Sequence, residues 1–227
     1  MAKTKIAVLI SGRGTNLQSL LDACSDDAFP ADIALVISNR PGAAGLARAQ
    51  KAGVATLVVD HKAFGTKEQK YDDGRAEFEN ALSDALTGAN VDYVCLAGFM
   101  RILTADFVNK WRGRIMNIHP SLLPAFKGLN VHERMIAAGV KIGGCTVHFV
   151  TSEMDAGPII GQAAVPVLPG DDADTLAARI LEQEHKLYPE CVKLIATGKA
   201  RLTTGNIVKL DDDVCPETVL MNPKRSG

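Results

Sequence analysis

Short apolar runs alternate with amphipathic stretches along the first half of the chain. Residues 6–10 are continuously apolar, as in a strand buried on both faces. After the turn Ser11-Gly12-Arg13-Gly14-Thr15-Asn16, apolar Leu17, Leu20, Leu21 and Cys24 take helical spacing. Residues 33–37 predict a second strand, ended by Ser38-Asn39-Arg40-Pro41-Gly42. An alanine-rich helix over 43–52 follows, with Gly53 placed to cap it. Further on, 56–59 predicts a third strand and 67–86 a longer helix with a charged outer face. A fourth strand is predicted at 93–96, a short helix at 104–110 and a fifth strand at 115–119. Strands separated by helices of this length imply βαβ units and a parallel twisted sheet.

The pattern then changes. Residues 144–150 and 159–167 are strand-like with no helix between them, which predicts an antiparallel excursion on the sheet edge. Asp174 is placed to cap a long helix running to about residue 197, with Pro189 as a kink. The tail after Gly205 is acidic, weakly patterned and expected to be peripheral. The fold class expected is therefore α/β: a Rossmann-like, mostly parallel twisted sheet flanked by helices, with an antiparallel edge portion in the C-terminal half.

With 227 residues, 47 % of them apolar, the chain can bury a substantial core, which argues against disorder. Its net charge of −1 lacks the broad basic footprint of a nucleic-acid binder, but leaves room for a small anion held at one point. The five cysteines are scattered, with no Cys-x-x-Cys and no clustered Cys/His ligand set. They are expected to be small buried hydrophobes in a reducing compartment. Lys3 and Lys5 precede an apolar run too short for a signal peptide core or a membrane span, so a cytoplasmic, soluble protein is expected.

The chemistry concentrates at the end of the fifth strand. Asn117 and His119 are two residues apart, so on a strand they share a face. Pro120 ends that strand, which places the pair at a carboxyl edge where open α/β sheets bind ligands. An amide donor beside a titratable ring can stabilise an oxyanion and move a proton. His119 by itself is equally a core histidine; beside Asn117 and before Pro120-Ser121-Leu122-Leu123-Pro124 it reads as positioned. Asp155, in a Gly/Pro-rich loop after a strand, gains meaning only if that loop folds over His119, where a carboxylate would orient an imidazole. His148 points to the opposite sheet face from Val147 and Phe149 and reads as a core or supporting histidine.

Gly12-Arg13-Gly14-Thr15-Asn16 lies between a strand and a helix start, where backbone N–H groups and the dipole favour an anion. Leu17 stands where a dinucleotide fingerprint needs its third glycine, and no Gly-Lys-Ser/Thr follows, so a single phosphate fits better. The alternative is a tight turn alone. Glu184 falls on the apolar stripe of Leu176, Ile180, Leu187, Cys191 and Leu194. A carboxylate there needs a partner, either a substrate amine or a neighbouring Lys or Arg. Phe99, Met100, Ile102 and Leu103 could wall a pocket for a flat ring or be core.

Together these segments resemble the phosphoribosylglycinamide formyltransferase family. The resemblance is carried by Ser11-Gly12-Arg13-Gly14-Thr15-Asn16-Leu17-Gln18, Leu96-Ala97-Gly98-Phe99-Met100-Arg101-Ile102-Leu103, Asn117-Ile118-His119-Pro120-Ser121-Leu122-Leu123-Pro124, Thr146-Val147-His148-Phe149-Val150, Asp155-Ala156-Gly157-Pro158-Ile159 and Gln183-Glu184-His185. It covers roughly residues 5–200. It implies formyl transfer from 10-formyltetrahydrofolate, a co-substrate, to the amine of glycinamide ribonucleotide in de novo purine (IMP) biosynthesis. It implies Asn117, His119 and Asp155 as the catalytic set. Gly14, Thr15, Asn16 and Glu184 would hold the ribonucleotide. Lys67, Met100, Arg101, Ile102, Leu103, Asn117, Thr151, Ser152, Glu153, Met154 and Asp155 would line the folate site, Lys67 standing where the family often has arginine. No metal is implied. One formyltransferase domain is expected over 1–205, with a phosphate-binding N-terminal half, a folate-binding and catalytic C-terminal half, and a peripheral tail over 206–227. The expected partners are small-molecule substrates only, with no nucleic acid and no membrane, in a monomer or weak homodimer.

Three rivals stand beside this reading. A formyltetrahydrofolate hydrolase, in which water replaces the amine, would be expected to carry an extra amino-terminal regulatory domain. A non-catalytic nucleotide-sensing α/β module would bind without turnover. A methionyl-tRNA formyltransferase would need a further basic domain to meet phosphates.

Overall fold

A computed structural model describes residues 2–64 and 74–211. The chain divides into two compact units, Met1–Asn117 and Ile118–Gly227.

In the first unit, β1 (Thr4–Ile10) pairs in parallel with β2 (Ala31–Ser38) on one side and β4 (Tyr93–Leu96) on the other. The short β3 (Thr56–Val58) extends β2, and β5 (Ile115–His119) extends β4, again in parallel. Helices α1 (Thr15–Cys24), α2 (Ala44–Lys51), α3 (Arg75–Gly88) and α4 (Ala105–Lys110) connect the strands. The apolar run of β1 explains its central place, since Ile6, Ala7, Val8, Leu9 and Ile10 are all fully buried. Truncating one of them, as in Leu9→Ala, would cost about 2–5 kcal/mol. Gly53 closes α2 as expected: its N–H reaches Gln50 O at 3.0 Å with φ at 72°, a conformation that suits glycine. Thr104 caps α4 by accepting the N–H of Phe107.

In the second unit, β6 (Ile142–Phe149) and β7 (Ile159–Pro166) pair antiparallel, as their lack of an intervening helix predicts. Helix α5 (Val131–Ala137), which the periodicity does not reveal, and the long α6 (Ala173–Ala196) pack together, and α6 also lies on β6 and β7. Val131, Met135, Cys145, Val165, Leu176 and Ile180 form their core. The cap of α6 is Asp172, not Asp174. Asp172 accepts the N–H of Thr175 at 2.8 Å, and the Thr175 hydroxyl accepts the Asp172 N–H at 2.9 Å, a reciprocal box that fixes the start two residues earlier. The buried stripe of α6 is also shifted by a residue beyond Glu184. Tyr188, Val192 and Ile195 are buried with Cys191, while Leu187 and Leu194 are only partly so. The region past residue 200 is more structured than expected, because β8 (Ala200–Leu202) and β9 (Val208–Leu210) form a hairpin with Asn206 at φ 58° in its turn.

Candidate active site

His119 ends β5 and is 6 % exposed. The turn that follows is held by side chains from the neighbouring antiparallel pair. Thr146 on β6 donates its hydroxyl to Ser121 O at 2.7 Å and accepts the Leu123 N–H at 3.0 Å. Gln162 on β7 donates to Leu123 O at 2.9 Å. The ring of His119 then meets two oxygens. Nε2 lies 3.1 Å from Phe126 O, and Nδ1 lies 3.5 Å from Asp155 Oδ2. A ring with a proton on each nitrogen can donate both ways.

Asp155 does fold over His119. Its carboxylate accepts the Gly128 N–H at 2.8 Å, and its other oxygen lies 4.0 Å from His148 Nε2. The side chain is only 11 % exposed. Two features of the backbone carry it there. Gly157 passes so close to the end of β6 that a Cβ on it would sit 1.7 Å from Phe149 O, and Phe149 N–H bonds Pro158 O at 2.9 Å. Asp155 itself has φ 52°, a left-handed conformation uncommon outside glycine and concentrated at functional sites. The facing segment is similarly unusual: Phe126, Gly128 and Asn130 have φ of 54°, 82° and 54°. Arg134 on α5 fastens that segment by donating to Lys127 O at 2.5 Å and Leu129 O at 3.4 Å.

His148, fully buried, is the third member of the cluster. Its Nδ1 approaches Phe149 O at 2.9 Å. Burial pulls its imidazole below the ordinary value, with Phe149 O and Asp155 pulling weakly the other way. It therefore stands as a neutral neighbour to the Asp155 carboxylate. Strand alternation gives its facing but not this contact. Phe126, Gly128 and Arg134 escape sequence reasoning because their roles rest on backbone groups.

Asn117 is half-buried two residues before His119 on β5, so the pleat gives the two side chains the same face. Thr151, Ser152, Glu153 and Met154 lead into Asp155; Glu153 is paired with Lys127 at 2.9 Å and Met154 is 56 % exposed. Glu184 is buried on α6, where its charge acts on Cys145. Burial first, then Glu184, pushes the Cys145 thiol up to about 12, and burial also raises Cys24 and Cys191. These thiols are held protonated and away from nucleophilic chemistry.

In the first unit the glycine turn is built by close approach. Gly14 has φ 71°, and a Cβ there would stand 2.7 Å from Gly45 Cα. Gly45 N–H bonds Gly12 O at 3.0 Å, and Arg48 Nε donates to Arg13 O at 3.0 Å. Gly14 caps α1 without a side-chain bond, so the start of the helix at Thr15 and Asn16 presents backbone. Met100 and Ile102 are 65 % and 69 % exposed, with Arg101 and Leu103 half-buried between and beside them. Lys67 and Cys215 lie outside the described residues. Among the described residues no helix is long and apolar enough to cross a membrane, and no group of three or more His, Cys, Asp or Glu could hold a metal ion.

An imidazole held against a loop carboxylate at a strand end of an open α/β fold is the equipment of a group-transfer enzyme acting on small molecules. The comparisons say which kind. The formyl transferase family matches residues 4–192, so the chain belongs to that family. It is 44 % identical to the phosphoribosylglycinamide formyltransferase of Haemophilus influenzae over 96 % of this chain and 99 % of that one. It is 49 % identical to the trifunctional purine biosynthetic protein adenosine-3 of Gallus gallus over 88 % of this chain, but it spans only 19 % of that protein's length. The crystal structure of glycinamide ribonucleotide transformylase 1 from Symbiobacterium toebii matches with a TM-score of 0.85 at 46 % identity, over 93 % of this chain and 95 % of that one.

Proposed function

We propose that this chain transfers the formyl group of 10-formyltetrahydrofolate to the amine of glycinamide ribonucleotide, in purine biosynthesis in the cytoplasm. The observation that carries the reading is the approach of Asp155 to His119 at the end of β5. The likeness to a phosphoribosylglycinamide formyltransferase over nearly the full length of both chains supports the substrate pair.

The folate supplies an activated formyl carbon, and the chain's residues do the rest. Asn117 and a protonated His119 face the formyl oxygen and stabilise the negative charge that develops there as the amine adds. At 3.5 Å, Nδ1 and Asp155 attract without a tight hydrogen bond, which leaves the Nδ1 proton available to a substrate atom while a base stays beside it. Asp155 orients the ring and relays the proton lost by the amine toward the departing folate nitrogen, so the proton count balances. Gly14, Thr15 and Asn16 hold the ribonucleotide phosphate through backbone at a helix start. Glu184 holds the glycinamide portion. The exposed apolar side chains of Met100 and Ile102 suit a flat ring such as the folate's. Lys67 is assigned to the folate's glutamate tail.

The test is an assay with purified protein, glycinamide ribonucleotide and 10-formyltetrahydrofolate, with no metal added. Tetrahydrofolate is expected to appear only when the amine acceptor is present. Formate release without acceptor would replace this reading with a hydrolase, and ligand binding with no turnover would replace it with a sensor.

A further inference from the structure

Ser11 occupies a junction in the first unit. It is the last residue before Gly12 opens the glycine turn, it is 4 % exposed, and both its backbone N–H and its hydroxyl are engaged. Its N–H bonds Gly98 O at 3.2 Å. Its hydroxyl donates to Asn39 Oδ1 at 2.6 Å and accepts the Met100 N–H at 2.7 Å. One residue therefore grips the segment 98–100 from both sides and continues directly into the phosphate turn.

The hydroxyl cannot rotate freely. Asn39 is fully buried just past the second strand, its backbone N–H reaches Ile10 O at 3.4 Å, its backbone oxygen lies 2.8 Å from His61 Nδ1, and its side-chain Nδ2 lies 3.3 Å from that same nitrogen. With the amide oxygen of Asn39 fixed, the Ser11 proton points at it and a lone pair is left for Met100 N–H. These bonds tie the glycine turn and the segment 98–100 to one another, so that ordering one orders the other.

We propose that Ser11 is a positioning residue that makes the binding of the two substrates mutually dependent. The inference rests on the assignment above of the glycine turn to the ribonucleotide phosphate and of residues 100–103 to the folate. A phosphate that settles on Gly14, Thr15 and Asn16 orders the turn, Ser11 transmits that order to Met100, and the folate meets a segment already in place. Linkage requires the effect to be reciprocal.

The experiment titrates tetrahydrofolate, which carries no formyl group to transfer, into the protein with and without saturating glycinamide ribonucleotide. In the wild type the ribonucleotide is expected to tighten tetrahydrofolate binding about fivefold, the low end of ordinary coupling. Ser11→Ala, which keeps the backbone bond to Gly98 but loses both hydroxyl bonds, is expected to bring that ratio to about one. Ser11→Thr, which restores a hydroxyl, should recover it. Ser11→Cys, close in size with a weak donor and weak acceptor, serves as the second disrupting variant if the alanine protein does not fold. A purely structural role would lower thermal stability in the variants and leave the ratio intact. A ratio of one in the wild type, or an undiminished ratio in Ser11→Ala and Ser11→Cys, overturns the inference while the proposed function stands. Failure of the wild type to bind either ligand overturns both.

Discussion

Replacing Gly157 with alanine puts a methyl carbon 1.7 Å from the carbonyl oxygen of Phe149. Carbon–oxygen contacts settle near ~3.3 Å, so one side has to withdraw by about 1.5 Å. The strand end is the stiffer side, because Phe149 is buried at the end of β6. The loop therefore gives, and Asp155 is two residues upstream in it. Its bond to Gly128 N–H is 2.8 Å and its approach to His119 Nδ1 is 3.5 Å, so a further ångström ends the first and loosens the second. Misplacement of a catalytic group by about 1 Å can cost about 100-fold in rate. Gly157→Ala is thus expected to lower kcat about 100-fold, with the ribonucleotide KM changed by less than about threefold because uniform binding is untouched. Steady-state tetrahydrofolate release with each substrate varied, on protein whose circular dichroism matches the parent, reads this directly. Turnover within about threefold of the parent would refute the reasoning. It would mean that the loop absorbs the methyl without moving Asp155, or that the position of Asp155 does not set the rate.

Asp155→Asn keeps an oxygen for Gly128 N–H but removes the charge beside His119, so turnover should fall about 100- to 10,000-fold with little change in ribonucleotide affinity by titration. An equal loss of both would remove Asp155 from proton transfer. Asn117→Ala deletes one oxyanion donor and is expected to lower kcat by about 100- to 1000-fold; a change confined to folate KM would make it a binding residue only. Stability should depend on pH in two separate windows. Burial holds His148 below its ordinary 6.5, so as pH falls through 6.5 the unfolded chain takes up a proton that the folded chain refuses, and Tm should decline; a flat Tm from pH 7 to 5 would contradict this. The Arg179 guanidinium holds the Asp171 carboxyl down at about 2, so its contribution is complete above 3.8 and is lost only as pH falls toward 2. Arg179→Gln should remove that second window and leave the first.

Local signals carried far in this chain, and long-range ones did not. The apolar run at 6–10, the spacing of Leu17, Leu20 and Leu21, and the paired strands at 144–150 and 159–167 all declare themselves because period and length are properties of adjacent residues. The start of α6 is not legible to the residue because three residues, Asp172, Ala173 and Asp174, offer two carboxylates, and the choice between them depends on the hydroxyl of Thr175 returning to Asp172. The hairpin of β8 and β9 has three residues per strand, too few to show alternation. At the site, Asn117 and His119 are legible because they share one strand. The approach of Asp155 across 36 positions is not, since it depends on a glycine that tolerates no side chain and on an N–H at Gly128. His148 and Arg134 meet groups only five to seven residues away, but through irregular turns whose backbone course no period encodes.

The most direct test of the account follows the formyl carbon itself. Protein is supplied with formyl-labelled 10-formyltetrahydrofolate and glycinamide ribonucleotide, and the label is located after a single turnover. The account predicts label in the formylated ribonucleotide with one tetrahydrofolate released per label transferred, and almost none transferred by Asp155→Asn in the same time. Label in formate, or equal transfer by Asp155→Asn, would contradict it.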